Sequence, residues 1–193
     1  MGVPILDKDY YTEEEYFDLL SESDFPIEWH DGQLHMMSGG KIPHNLIIEN
    51  IEFALRLAQK RCKIKNSNNA VSIRALKKYL FPDLTAVCGK IEFEKGGIAR
   101  IVNPELIIEV LSKSTADYDR NEKFTYYRSL ESFKEYVLID SLKYSVQTFY
   151  RETANLWHIG SYYNIDQAVT FRSLEVDIPM STIYEGVDFD LVL

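Results

Sequence analysis

The chain has 193 residues, of which 46% are hydrophobic and 13% aromatic, and its net charge is −9. This length and composition are typical of one globular domain, residues 1–193, and exclude a disordered chain or a small disulfide-dependent scaffold. The sequence has no signal-peptide pattern and no apolar run of about 18 residues, so we expect a cytoplasmic protein. Cys62 and Cys88 are far apart and form no CxxC pair, which favours a reducing compartment and argues against structural zinc.

The first half of the chain predicts two helices and a hairpin. Thr12 precedes three glutamates, a pattern that indicates the start of a short helix. The Asp31-Gly32 pair indicates a β-hairpin turn, and we interpret the flanking His30 and His35 as surface residues of that hairpin rather than ligands. Apolar residues recur at helical spacing from about residue 43 to residue 61, which predicts the longest helix. Two extended segments follow, at residues 71–74 and 79–88.

The second half of the chain predicts mainly strands. Residues 106–111 form a nearly continuous apolar run, which is typical of a central strand. A hairpin or loop at residues 90–101 precedes this strand, and a helix from about residue 119 to residue 130 follows it. Further strands are predicted at residues 135–140, 144–150, 156–162 and 169–176, with a short helix near residues 181–185. Helices interleaved with strands, followed by an antiparallel meander, predict an α/β fold with a mixed sheet flanked by helices.

Two acidic residues stand out because of their apolar surroundings. Glu109 lies in the middle of the predicted central strand, where an unpaired charge is costly to bury. Asp83 follows Pro82 and opens another apolar strand. If these two strands are neighbours, the two carboxylates meet at one site, and such a pair suits Mg²⁺ or Mn²⁺. The alternative is that Glu109 belongs to a buried salt bridge and Asp83 to an ordinary turn.

An ordered set of motifs resembles a known family. The set comprises Pro82-Asp83, Glu109 to Thr115, Tyr118-Asp119-Arg120, Lys123, Tyr127 and Glu135-Tyr136. Together these residues resemble the Uma family of restriction endonucleases, within the PD-(D/E)XK nuclease superfamily. The resemblance extends over nearly the whole chain. It implies a restriction-endonuclease-like mixed β-sheet core flanked by helices, with a C-terminal antiparallel meander.

The same resemblance implies a metal-dependent site. Asp83, Glu109 and the backbone carbonyl of Val110 would hold Mg²⁺ or Mn²⁺. The lysine of the E-x-K pattern is replaced here by Leu111, and Lys123 in the following helix is the matching substitute. The implied catalytic residues are therefore Asp83, Glu109 and Lys123. Supporting candidates are His44, Glu49 and Asp119, with Lys113 as a nearer but less favoured lysine.

A basic segment qualifies the overall acidity. The segment from Arg56 to Lys78 carries eight basic residues and no acidic residue, so it has a charge of +8. It is a candidate nucleic-acid surface, although such residues also cap helices and solvate loops. The candidates for nucleic-acid contact are Lys60, Arg61, Lys63, Lys65, Arg74, Lys77 and Lys78. By resemblance to the superfamily, the expected partners are DNA and a second copy of the chain.

Three hypotheses about function follow. The first is a Mg²⁺- or Mn²⁺-dependent endonuclease that hydrolyses DNA phosphodiester bonds. The second is a catalytically inactive nuclease-fold module that binds nucleic acid or protein, which Leu111 and the net negative charge favour. The third makes the acidic residues part of a structural ion network. A Lys123 side chain that points at the two carboxylates favours the first hypothesis over the second. The third is compatible with a buried salt bridge between Glu109 and Lys123 itself, and it predicts that added metal does not raise stability.

Overall fold

The structure, a computed structural model, describes residues 8–37, 40–95 and 98–191. The helices α1 to α5 span Glu13–Glu22, Ile42–Ala58, Ala116–Tyr118, Phe124–Tyr127 and Met180–Ile183, and a π-helical turn at Asp119–Lys123 joins α3 to α4. The strands β1 to β14 span Ile27–His30, Gln33–Met36, Cys62–Asn66, Ala70–Ile73, Lys78–Leu80, Leu84–Cys88, Phe93–Glu94, Arg100–Ile101, Leu106–Leu111, Glu135–Asp140, Val146–Arg151, Trp157–Tyr162, Ala168–Phe171 and Val176–Pro179.

Local sequence signals explain the first elements. Thr12 and Glu15 form a reciprocal capping box that begins α1, which satisfies backbone N–H groups at the helix start. Asp31 and Gly32 have φ angles of 46° and 98°, as the tight turn between β1 and β2 requires. The long helix α2 buries Ile47 and other apolar residues of one face. No helix in the described parts of the chain is long and apolar enough to cross a membrane.

The described strands form a central mixed sheet and a smaller one beside it. The central sheet has the order β12-β11-β10-β9-β6-β3, in which β9 and β10 are parallel and the other neighbours are antiparallel. The second sheet has the order β2-β1-β5-β4-β8-β7. The pairing of β7 with β8 confirms a hairpin within residues 90–101; Gly96 and Gly97 lie outside the described residues.

Both faces of the central sheet are covered. One face packs on α2 and α5, with Ile47, Ile108 and Met180 in its core. The other face packs on α4 and on part of the smaller sheet, with Ile107, Leu111 and Tyr127 in its core. Ile107 and Ile108 therefore point to opposite faces, as alternation along a strand requires. The predicted α/β fold with a mixed sheet flanked by helices is confirmed.

The C-terminal strands only partly follow the prediction. Strands β11 and β12 extend the central sheet in antiparallel order, as the meander requires. The third predicted strand, residues 169–176, covers most of β13, the turn at residues 172–175 and the first residue of β14, which together form a separate hairpin. Glu175 has a φ of 59° within that turn. The residues around Glu175 are a weak turn signal, so the sequence alone did not indicate that β13 and β14 are two separate strands.

The structure contradicts the prediction that the two cysteines are unpaired and indicate a reducing compartment. Strands β3 and β6 are antiparallel neighbours whose register places Cys62 opposite Cys88, and the two residues form a disulfide. Separation in sequence was a poor guide because sheet pairing brings distant strands together. The argument for a reducing compartment from cysteine usage is therefore wrong, while the bonded cysteines still offer no thiolate ligand for zinc.

Candidate functional site

The two predicted acids meet where β6 and β9 separate. The ladder between these strands ends at the pair Leu84 and Ile108, so the backbone of the next residues in β9 has no strand partner on that side. Asp83 fills the gap: its Oδ2 accepts a hydrogen bond from the Val110 N–H at 2.7 Å. Glu109 Oε2 in turn accepts one from the Asp83 N–H at 3.3 Å. The exposed fractions of Asp83 and Glu109 are only 8% and 2%.

Lys123 reaches the same site from the π-helical turn. Its Nζ lies 3.1 Å from Glu109 Oε1 and 3.4 Å from Asp119 Oδ1. Lys123 and Asp119 are both buried on the inner side of this turn. Helical turns of the π type occur mostly as single turns and are frequent at functional sites. The lysine predicted to replace the E-x-K lysine thus points at the acids and not at solvent.

A further carboxylate, Glu28, belongs to the site and was missed by the sequence analysis. Its Oε1 lies 3.4 Å from Lys123 Nζ and accepts a hydrogen bond from the Phe81 N–H at 3.2 Å. Its Oε2 accepts one from the Tyr118 hydroxyl at 2.9 Å and lies 3.3 Å from His30 Nε2. Every residue of β1 is buried, so its polar residues Glu28 and His30 do not face water. No local signal in the sequence distinguishes Glu28 from an ordinary outward-facing strand residue.

The electrostatics of the site are dominated by a surplus of buried acids. Burial opposes ionisation of Glu28, but Lys123, His30 and the Phe81 N–H outweigh it and lower the pKa of Glu28 to about 2. Burial also opposes the charge on Lys123, yet the surrounding carboxylates raise its pKa well above the usual value. For Glu109, burial and the neighbouring acids raise the pKa despite Lys123. One ammonium group therefore faces more carboxylates than it can neutralise.

His44 and Val110 complete one side of the site, whereas Glu49 does not take part. His44 Nε2 lies 3.4 Å from Asp83 Oδ2, and the imidazole is hydrogen-bonded to the backbone of Val110. Burial lowers the pKa of His44, but the contacts with Asp83 and Val110 outweigh it and raise the pKa overall. Glu49 is exposed on α2 and does not line the cleft at this site.

The donor atoms of the site suit a hard divalent cation. Asp83 and Glu109 supply carboxylate oxygens, and the backbone of Val110 lies beside them. Within the described residues, no group of three or more His, Cys, Asp and Glu side chains is arranged so that it could hold a metal ion. Mg²⁺ does not need such a group, because one or two carboxylates with several waters are its usual protein ligands. The buried acid surplus fits an added positive charge.

These residues lie at the base of a cleft of about 1210 Å³. It is lined by Glu28, Asp83, Glu109, Asp119 and Lys123, together with His30, His35, Lys78, Tyr118 and Tyr126, among others. The interpretation of His30 as a surface residue is therefore wrong, since only 8% of it is exposed. The exposed His35 contacts it, with ring centroids 4.3 Å apart and the two ring planes tilted by 36°.

Most of the predicted nucleic-acid contacts lie away from the cleft. Of the seven basic candidates, all of them within the described residues, only Lys78 lines it. Three others pair with acids that are distant in sequence: Arg61 with Glu175, Arg74 with Glu94 and Lys77 with Asp31. Lys60, Lys63 and Lys65 lie around the edge strand β3. The basic segment thus does not form one surface around the acidic site.

Comparison with known families decides the assignment. The model of the Uma2 family, described as putative restriction endonucleases, matches residues 13–180. The chain belongs to the Uma2 family. The matched region includes every acidic residue of the site and Lys123, so the Uma2 assignment agrees with the resemblance found from the sequence motifs.

Curated relatives and a solved structure are consistent with the Uma2 assignment. Two uncharacterized proteins of Synechocystis sp. are similar to this chain: slr1290 is 29% identical over 84% of this chain and 85% of its own, and sll1609 is 25% identical over 86% and 94%. A crystal structure of a putative nuclease of the DUF820 group from Anabaena variabilis has a TM-score of 0.65. It is 13% identical and covers 92% of this chain and 98% of that one, a likeness that establishes the fold.

Proposed function

We propose that this Uma2 protein is a Mg²⁺- or Mn²⁺-dependent endonuclease that hydrolyses DNA phosphodiester bonds. The observation that carries the proposal is the meeting of Asp83, Glu109 and Lys123 at the base of one cleft. Two carboxylates can hold a divalent ion, and a lysine can stabilise the negative charge that develops in phosphodiester hydrolysis. Membership of the Uma2 family also supports a nuclease.

The residues have separate roles in this proposal. Asp83, Glu109 and the Val110 carbonyl would hold the ion, which when bound polarises the phosphate and lowers the pKa of a water molecule. Lys123 orients the attacking water and offsets the negative charge that develops on the phosphate oxygens. Glu28 and Asp119 hold the Lys123 ammonium between them. His44 orients the Asp83 carboxylate, which it contacts at 3.4 Å.

Three further features belong to the same proposal. The substrate class, DNA, rests on the family. The proposal of a homodimer rests on the resemblance to the nuclease superfamily, and no residue of this chain supports it. A cytoplasmic location is likewise a proposal, and the disulfide between Cys62 and Cys88 removes one of the arguments for it.

A cleavage assay tests the proposal. Purified protein is incubated with plasmid DNA and with single-stranded DNA in Mg²⁺, in Mn²⁺ and in chelator. We expect metal-dependent cleavage by the wild type and a loss of at least about 100-fold for Asp83→Asn, Glu109→Gln and Lys123→Ala. Glu49→Gln is the matched control, because this carboxylate is exposed on α2 outside the cleft. Cleavage that survives Asp83→Asn and Glu109→Gln, or no cleavage by the wild type in either metal, would refute the assignment.

A further inference from the structure

We propose that Tyr126, His35 and Lys78 form a nucleotide subsite on one wall of the cleft, which binds an unstacked base and its phosphate from a single-stranded polynucleotide. This inference rests on the proposed function and names the substrate form that the site accepts.

The wall is continuous from the rim of the cleft to its base. At the rim, the exposed His35 ring is tilted by 36° against the His30 ring, and the His30 ring meets the Tyr126 ring edge-on at 6.0 Å. At the base, the Tyr118 hydroxyl contacts Glu28, and Lys123 Nζ lies 5.6 Å from the centre of the Tyr118 ring. The His30 and Tyr118 rings stack with their centroids 6.2 Å apart, which joins the rim to the base beside Lys123.

Lys78 adds a positive charge to the same wall. Its Nζ lies 4.2 Å from the centre of the Tyr126 ring, and the side chain is half-buried in the cleft lining. Because the ammonium lies over one face of the Tyr126 ring, a base would stack on the other face or on the His35 ring, while the ammonium binds the adjoining phosphate.

Stacking of a base on a side chain favours single-stranded over double-stranded nucleic acid. Bases within a duplex already stack on each other, so only an unpaired or splayed base offers a face to a side chain. Phosphate contacts from Lys and Arg contribute to the affinity for both forms, but only the single strand gains stacking as well. Most of the predicted basic residues lie outside the cleft, and three are held by acids. The cleft wall is therefore suited to a single strand and poorly suited to a duplex.

Binding measurements test the inference independently of cleavage. Fluorescence anisotropy is recorded with a labelled single-stranded oligonucleotide and with the matching duplex, on an Asp83→Asn background and with Ca²⁺ present. We expect tighter binding of the single strand, a loss of about tenfold or more for Tyr126→Ala, and near wild-type binding for Tyr126→Phe, which keeps the ring. Lys78→Ala should reduce the slope of log affinity against log salt by about 0.7, the value for one phosphate contact on a single strand.

Matched controls separate the wall from the rest of the surface. Lys60→Ala removes an exposed lysine of the basic segment, and Tyr163→Ala removes an exposed aromatic ring, both outside the cleft. Neither should change the affinity. The inference is overturned if Tyr126→Ala and Lys78→Ala bind like their parent, if duplex binds as tightly as single strand, or if the controls weaken binding equally. Binding by this wall without any cleavage by the wild type would instead refute only the proposed function.

Discussion

Lys123 Nζ lies 3.1 Å from Glu109 Oε1, with the lysine in a π-helical turn and the acid in the central strand. The E-x-K arrangement would place the lysine on the strand, where this chain has Leu111 packed in the core. The cation therefore approaches the acid from the helix side of the site. It is shared with Glu28 of β1 and with Asp119 of the same turn, so its position depends on β1 and β9 as well as on the turn.

Replacing Lys123 should destabilise the metal-free protein. Lys123→Met removes the ammonium that three buried carboxylates share, and breaking a buried ion pair in this way costs about 3–5 kcal/mol. Urea unfolding in chelator measures the change. Lys113→Met is the control, because this lysine is exposed at the cleft rim and its loss should change stability by less than about 0.5 kcal/mol. Equal stability of Lys123→Met and wild type would contradict the shared ion pair.

The pH dependence of stability should reveal Glu28. Its pKa falls from 4.5 to about 2 on folding, so ionised Glu28 stabilises the folded state above about pH 4.5, and this stabilisation is lost as the pH falls toward about 2. The loss is at most about 3 kcal/mol. Glu28→Gln lacks this contribution, so its stability difference from wild type should shrink over that range. Unfolding free energies of both proteins across the range test this; a constant difference would exclude an ionised Glu28.

The contribution of Glu109 to stability should change with pH in the direction opposite to that of Glu28. The pKa of Glu109 is raised in the folded protein, so its contribution to stability is present below the ordinary pKa and is lost as the pH rises through the raised value. Glu109→Gln removes that loss, and the metal-free variant should gain stability relative to wild type as the pH rises. Because a metal must displace the proton, wild-type affinity for Mn²⁺ should also increase with pH. Calorimetric titration with Mn²⁺ at several pH values measures this, and a pH-independent affinity would argue against Glu109 as a ligand.

The disulfide should contribute stability away from the cleft. Cys62 and Cys88 are separated by 26 positions, and closing a loop of that size stabilises a protein by roughly 3 kcal/mol in the chain-entropy account. A reductant should therefore lower the unfolding temperature of the wild type and leave a Cys62→Ser, Cys88→Ser double variant unchanged. Thermal unfolding with and without reductant gives the answer. A wild type indifferent to reductant, with its thiols verified as free, would contradict the role of the bond.

Part of the site was predictable because its residues violate the pattern around them. Glu109 interrupts an apolar run, and Asp83 follows a proline at the start of a strand; burial of such acids calls for a partner. Lys123 was found from the family resemblance, since nothing in its local helical pattern marks it as buried. The α/β architecture was predictable for the same reason as Glu109, from long apolar strands between helices.

The other features of the site and fold could not be predicted, because they depend on contacts between segments that are distant in sequence. Glu28 looks like an outward-facing hairpin residue, yet the site covers it and joins it to Lys123. Arg74 looks like part of a basic surface, yet it pairs with Glu94 across the smaller sheet. Cys62 and Cys88 meet only through the register of two strands. Such pairings follow from sheet order, which a single sequence does not specify.

The most direct test of the metal site is thermal unfolding with and without Mg²⁺ and Mn²⁺ for wild type, Asp83→Ala and Glu109→Ala, with Glu49→Ala as the surface control. Binding to the folded state at 100 times the dissociation constant stabilises a protein by about 2.7 kcal/mol, which is about 5–11 °C for a chain of this size. We predict that the metal raises the unfolding temperature of wild type and Glu49→Ala, and that both site variants abolish the rise. No metal effect on the wild type up to about ten millimolar, or an equal rise in Asp83→Ala, would contradict the metal site and favour an inactive nuclease-fold module.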